Sequence, residues 1–423
     1  TGAPSAAALA ALEGKLGLAS GGALTVSHFS ITGNTIYSEE QLRQRLAEWE
    51  GRELGAKEIS QAAESLKTYY RAHGYGYADV IVPEQAVENG NLLLEVREGR
   101  IHAVIFRGNQ RYRSELLSRW LKATAPGKVL HVPSLEREVV LLNGLPGVRA
   151  QMTVEPNAHT GGMDVVFTIM EQPRQTMATV DNYGAVDTGE WRDNLQIRLC
   201  NPTGRGDDLS LEASHSQHNW PNTKRAGYSL PLGSQGGRLA FNYLASKLEM
   251  IGNSPLMGLQ TDVNYAQLQF TLPIWQSLRR NLQFSAGVSR TSAALTMPGG
   301  GVHDRSSVNL LSASVVYMEG SPGVAFANAY VQLSSNFRGN PGGTRNDAEP
   351  GRLDAGYGYE RWLAPDWSVF LFGMGVLTLD ALPFSQKVSI GGPYCVRGYS
   401  QSEEMGDEGY LVKVEARHQL PPL

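Results

Sequence analysis

At 423 residues the chain exceeds the usual single-domain size, so two or three units are expected. Charged residues make up only 18% and the formal net charge is −4, which argues against a nucleic-acid binder with a global basic field. No run of about 18 apolar residues occurs, which argues against a transmembrane helix but not a membrane β-barrel, whose alternating strands keep mean hydropathy low. The chain starts at Thr1 with no charged-then-apolar leader, as expected of a mature chain whose signal peptide is gone.

Residues 1–23 read as a separate unit. Ala6 to Leu18 is rich in alanine and leucine and predicts a helix, followed by an Ala19-Ser20-Gly21-Gly22 linker. Residues 24–98 form the next unit. Leu24 to Ile31 alternates as a strand into the turn Thr32-Gly33-Asn34. Ser38-Glu39-Glu40 caps a helix carrying Leu42, Leu46 and Trp49. A second helix over 57–73 has Ile59, Ala62, Leu66, Tyr69 and Tyr70 as its stripe. Strands are predicted at Ala78 to Val82 and Asn91 to Val96.

The same order returns over residues 99–171. A strand at Ile101 to Phe106 ends in Arg107-Gly108-Asn109. Two helices then carry Leu116, Leu117, Trp120 and Leu121, and Leu135, Val139, Leu141 and Leu142. Paired strands follow at Val148 to Val154 and Met163 to Ile169. This period predicts two copies of one small α+β module. The βααββ order with its strand–Gly-Asn turn resembles the POTRA (polypeptide-transport-associated) domain. That resemblance implies an open sheet edge that binds an extended chain as an added strand. The second strand in chain order is the expected edge: Ala78, Asp79 and Val80 in the first module, Val148, Arg149 and Ala150 in the second.

From Gln172 onward the helical period gives way to segments of period two. Leu195, Ile197 and Leu199 oppose Asn194, Gln196 and Arg198; Tyr410, Val412, Val414 and Ala416 oppose Lys413, Glu415 and Arg417. Trp191, Trp275, Trp362 and Trp367 sit near segment ends, as at membrane interfaces. Tight connections (201–207, 278–280) alternate with longer polar ones (252–260, 298–306, 339–351), the pattern of an outer-membrane barrel rather than a soluble sandwich. Strand centres fall near Thr179, Ile197, Leu211, Tyr228, Phe241, Leu268, Phe284, Ser314, Val331, Tyr357, Phe372 and Val414. The expected fold class is therefore α+β plus all-β, two βααββ modules followed by a transmembrane antiparallel barrel over 172–423, with a lumen loop over 379–407.

That loop carries Val396-Arg397-Gly398-Tyr399. Two POTRA-like modules, a barrel, this motif and the turn Asn201-Pro202-Thr203-Gly204-Arg205-Gly206-Asp207 together resemble the two-partner secretion transporters (TpsB) of the POTRA–barrel superfamily. The resemblance implies 16 strands, of which about 12 are present, and hence a truncated or incomplete barrel. It also implies that Arg397 pairs with an acid on a late strand, expected here to be missing with the absent strands. Further implications are a Gram-negative outer-membrane location with periplasmic POTRA modules, lipid around a monomeric barrel, and a dedicated secreted exoprotein (TpsA type) as partner.

The alternatives are an insertase of the same superfamily, a diffusion porin and a secreted adhesin. The cysteines, Cys200 and Cys395, are too far apart for a metal pair, and no metal or cofactor is expected. A Cys200–Cys395 disulfide tethering the loop is one expectation, two unrelated thiols the other. No HExxH, G-x-S-x-G, phosphate loop or CxxC appears, so no enzyme activity is expected.

Overall fold

The computed structural model describes residues 5–184, 188–216, 219–250, 258–298, 301–321, 323–336, 351–379, 381–382, 386–392, 395–399 and 403–420. The connection expected at 252–260 is thus described only from Gly258, and that at 339–351 only at Gly351. Pro393 and Tyr394 also lie outside the described residues.

Helix α1 (Ala6–Lys15) opens the chain, capped by the Ser5 side chain. It packs on the first module: Leu16 is buried in that module's core, and Lys15 C=O accepts from Gln85 N–H at 3.0 Å. The single strand expected over Leu24 to Ile31 is two. β1 (Ala23–Val26) pairs with β3 (Arg52–Gly55), and β2 (His28–Thr32) runs parallel to β5 (Asn91–Arg97). The chain changes sheet at Ser27, where Gly90 C=O accepts from both Ser27 and His28 N–H. Between them lie α2 (Glu39–Leu46), α3 (Ala56–Ala72) and β4 (Asp79–Ile81). Ser38 and Gln41 form a reciprocal capping box that starts α2. Ile59, Ala62, Leu66 and Tyr70 on α3 are buried against Leu92, Leu94 and Val96, the inward residues of β5. The three-stranded sheet has the order β2-β5-β4, so β4 is an outer strand.

The second repeat contains β6 (Ile101–Arg107), α4 (Ser114–Ser118), α5 (Val132–Asn143), β7 (Val148–Pro156) and β8 (Met163–Glu171), with sheet order β6-β8-β7. Helix α4 is shorter than expected: Trp120, in a turn, and Leu121 both lie beyond its end. Segments 108–120 and 140–150 pack with the strands that follow, in one compact unit.

Those strands are β9 (Arg174–Asp181), β10 (Arg192–Cys200), β11 (Asp208–Ser216), β12 (Asn219–Leu232), β13 (Gly237–Glu249), β14 (Gln260–Gln276), β15 (Arg280–Thr296), β16 (Val302–Ser321), β17 (Ala325–Asn336), β18 (Arg352–Ala364), β19 (Trp367–Thr378) and, after a short hairpin of β20 (Val388–Ile390) and β21 (Glu404–Gly406), β22 (Gly409–His418). They form one 12-stranded antiparallel meander, from β9 to β22, and each expected strand centre falls inside its strand. The alternation sorts side chains by face. Phe241, Leu268, Val331 and Val414 are exposed on one side, while on the other Ser210 and Asn242 crowd Gly227 so closely that a Cβ there would lie 2.6 Å from Ser210 Oγ. A sheet whose apolar face is the exposed one is a membrane barrel wall turned to lipid.

Candidate functional site

The loop motif lies between β20 and β21. Gly391, Gly392 and Gly398 have positive φ (108°, 95° and 89°), and Gly392 N–H donates to Tyr399 C=O at 3.1 Å, closing a compact turn. Arg397 projects from it and pairs with Glu415 on β22. The acidic partner expected on absent strands is therefore present in this chain, on the polar face of its last strand. Glu415 also receives Lys413 Nζ at 3.1 Å and Arg417 Nη2 at 2.9 Å. Arg417 in turn reaches Glu360 of β18 at 3.3 Å and lies over the Phe370 ring of β19, 3.8 Å from its centroid.

Other contacts hold the loop to distant strands. Gln386 donates to Thr291 of β15 at 3.4 Å, and its carbonyl accepts from Arg352 of β18. Lys387 and Leu382 N–H both bind Asp407, at 2.7 and 3.0 Å. Contacts to β15, β18 and β22 from one loop are possible only if it runs across the polar face of the sheet.

Cys200 and Cys395 are free thiols, so the expected tether is not formed in this structure. Cys200 ends β10, buried beside Gly147: a Cβ at Gly147 would lie 2.8 Å from Cys200 Cβ. Cys395 sits half-buried in the loop turn, its N–H bonded to Gly392 C=O at 3.1 Å. Beyond Cys200, Asn201 (φ 56°) starts the tight turn. Its Oδ1 accepts from Gly206 N–H at 2.7 Å, and its Nδ2 donates to Arg111 C=O at 3.3 Å. The turn is thereby joined to the Gly-Asn turn of the second repeat.

The expected capture edges fall on outer strands, and in each module a side-chain amide occupies backbone groups at or beside them. In the first module β4 ends at Ile81, opposite Glu95, and two positions on Pro83 would face Leu93 without an N–H to offer. The Gln85 side chain takes its place. Its Nε2 donates to Leu93 C=O and Leu93 N–H donates to its Oε1, both at 2.8 Å. Ala78 is buried just before β4, and Asp79 is engaged by Lys67 at 2.7 Å and by Val80 N–H at 3.0 Å. In the second module Asn143 does for β7 what Gln85 does for β5: Ala150 N–H donates to Asn143 Oδ1 at 2.8 Å and Asn143 Nδ2 donates to Ala150 C=O at 3.1 Å. Val148 N–H is bonded to Leu145 C=O at 3.2 Å. Arg149 is exposed, in a polar recess of about 270 Å³ shared with Gln172, Gln175 and Arg198.

Besides Gln85 and Asn143, sequence reasoning missed a pair of carboxylates. Glu98 accepts N–H groups of Thr35 and Ile36 at 2.7 and 2.9 Å and Tyr70 O–H at 3.2 Å. Glu171 does the same in the second repeat for Gln110, Arg111 and Tyr112 N–H at 3.0, 2.8 and 3.0 Å. Each carboxylate closes the Gly-Asn turn of its module. Burial raises the Glu98 pKa, but the bonds from Thr35, Ile36 and Tyr70 outweigh it and hold the carboxyl below its ordinary range. The signal was available: a Glu stands at or just after the end of the last strand of each module, at nearly the repeat period.

Residues 24–99 match the POTRA domain, ShlB-type, and residues 161–303 match the haemolysin secretion/activation protein ShlB/FhaC/HecB family. The chain is similar to the heme/hemopexin transporter protein HuxB of Haemophilus influenzae, 25% identical over 90% of this chain and 70% of that one. Its fold matches CdiB from Escherichia coli (TM-score 0.76, 18% identity, 95% of this chain and 77% of that one) and CdiB from Acinetobacter baumannii (TM-score 0.66, 20% identity, 95% and 77%). The chain belongs to the two-partner secretion (TpsB) transporter family. As a TpsB transporter it resides in the outer membrane, with its POTRA modules on the periplasmic side. The order of its elements then places the β10–β11 turn at the periplasmic end of the sheet and the β11–β12 connection at the outer end.

Proposed function

We propose that this TpsB transporter takes a dedicated large exoprotein, of the adhesin, haemolysin or contact-dependent toxin type, unfolded from the periplasm and passes it along the polar face of its barrel. The observation that carries the reading is the Arg397–Glu415 pair, with the loop strung from β15 to β22. Arg397 holds the loop in position by a charge-assisted hydrogen bond. The exoprotein joins the second module as an added strand on β7, which asks it to displace the Asn143 amide from Ala150 or to start beyond it, at Met152 and Val154. The recess at Arg149, Gln172 and Gln175 lies where a captured chain would leave β7 for β9. The apolar outer face meets lipid, one chain forms one pore, and folding outside the cell biases movement outward.

The test is secretion of the exoprotein encoded beside this gene, with and without Arg397→Ala. Export lost on deletion and lowered about tenfold by the substitution is expected. The figure takes the lower end of the range for a charge-assisted bond, because the arginine is 66% exposed. The exchange Arg397→Glu with Glu415→Arg restores part of it. Export unchanged on deletion overturns the reading, and a simultaneous fall in other barrel proteins would point to an insertase.

A further inference from the structure

One of the cations on the outward face of the barrel borders a hollow. Lys224 of β12 lies opposite Ala213 on one side and Ala245 on the other, on the same face as Leu195. It is exposed and has no ion pair among the described residues. A lysine turned to lipid is costly near the middle of a bilayer and nearly free at its surface, so its depth matters. The neighbouring strands fix that depth. Two residues further outward, β11 carries His215, paired with Asp193 at 2.8 Å, and β13 carries Lys247, paired with Asp262 at 3.8 Å. Two residues inward, the same strands carry Leu211 and Tyr243. The Tyr243 hydroxyl donates to Asn264 at 3.1 Å, as an interfacial tyrosine does. Lys224 therefore sits at the step from apolar to ionic surface, on the outer side.

The surface beside it is hollow. Ala213 and Ala226 leave a depression of about 350 Å³ between Leu195, Ile197, Leu211 and Tyr243, with Lys224 at its rim. A groove of hydrocarbon depth ending in an unpaired ammonium at headgroup level matches a molecule with an acyl chain below and an anionic phosphate above. We propose that this depression binds a phosphorylated acyl lipid of the outer leaflet, its chain along Ala213 and Ala226 and its phosphate on Lys224. The inference rests on the outward face meeting lipid, as proposed above, but not on what passes through the pore.

The experiment is native mass spectrometry of the full chain, released from outer membranes in mild detergent and titrated with dioleoylphosphatidylglycerol or dioleoylphosphatidylcholine. The unaltered protein should bind the anionic lipid about fivefold more tightly, the increment expected of one lysine at a membrane surface. Lys224→Ala and Lys224→Gln should abolish the preference, while Lys247→Ala, which alters a paired lysine outside the hollow, should keep it. No preference in the unaltered protein, or a preference that survives both Lys224 substitutions, overturns the proposal. Secretion measured on the same proteins separates the two readings. Lost preference in the Lys224 variants with normal export supports the lipid site alone, and lost export in Arg397→Ala with the preference kept concerns the pore alone.

Discussion

Glu415 is a single carboxylate meeting three cations, Arg397, Lys413 and Arg417. The two sides of the loop latch are therefore unequal. Arg397→Ala leaves Glu415 with two partners, whereas Glu415→Gln leaves three positive groups crowded together with Glu360 as their remaining acid. Glu415→Gln should reduce export further than Arg397→Ala, by about another order of magnitude, and a reversed ranking in the secretion assay would remove Glu415 as the loop's anchor. Glu98 gives a second prediction, this one of stability. Its carboxyl titrates below its ordinary value in the folded module, so the stability it contributes is complete above about pH 4.5 and is lost as the pH falls through the lowered value. Calorimetry of the full chain should show the first module losing stability below that pH. Glu98→Gln should flatten the dependence and cost about 1–3 kcal/mol at neutral pH. The Glu98 contact left a trace in the repeat, whereas that of Glu415 did not. Glu415 was visible as a polar-face residue of the last strand, but its pairing joins residues 18 apart through a loop that doubles back, and periodicity carries no trace of such a contact.

At the scale of elements, the parts legible in the sequence were those whose signal is local. The period-two alternation of β10 to β22 and the helical stripe of α3 each repeat within a few residues. The division of Leu24 to Ile31 into β1 and β2 was not legible, because both halves alternate correctly and only distant partners, Arg52 to Gly55 and Asn91 to Glu95, pull them into different sheets. The amide caps escaped for the same reason: Gln85 and Asn143 look like ordinary loop residues until their backbone partners are known. Asn143 yields a test. Asn143→Ala frees both backbone groups of Ala150, so hydrogen exchange at Ala150 should speed by about tenfold or more, and photo-crosslinking of the exoprotein from position 152 should rise. Exchange at Ala150 that stays slow would mean that the cap does not guard this edge.

For the whole molecule, what the structure adds to the sequence is how the loop is held. It is fixed by side chains on β15, β18 and β22 and not by a covalent bond, since both thiols are free. Thiol counting on the unreduced protein should find two, with Cys395 reacting faster than the buried Cys200. A latch made of charges, exposed on its arginine side, has a strength that depends on the surrounding electrolyte. Counter-ions weaken it as the screening length shrinks from about 10 Å at 0.1 M salt to about 3 Å at 1 M. In a planar bilayer the pore should therefore flicker more often in concentrated salt than in dilute salt. The mineral content of the water around the cell thereby becomes a control on how firmly the loop is held.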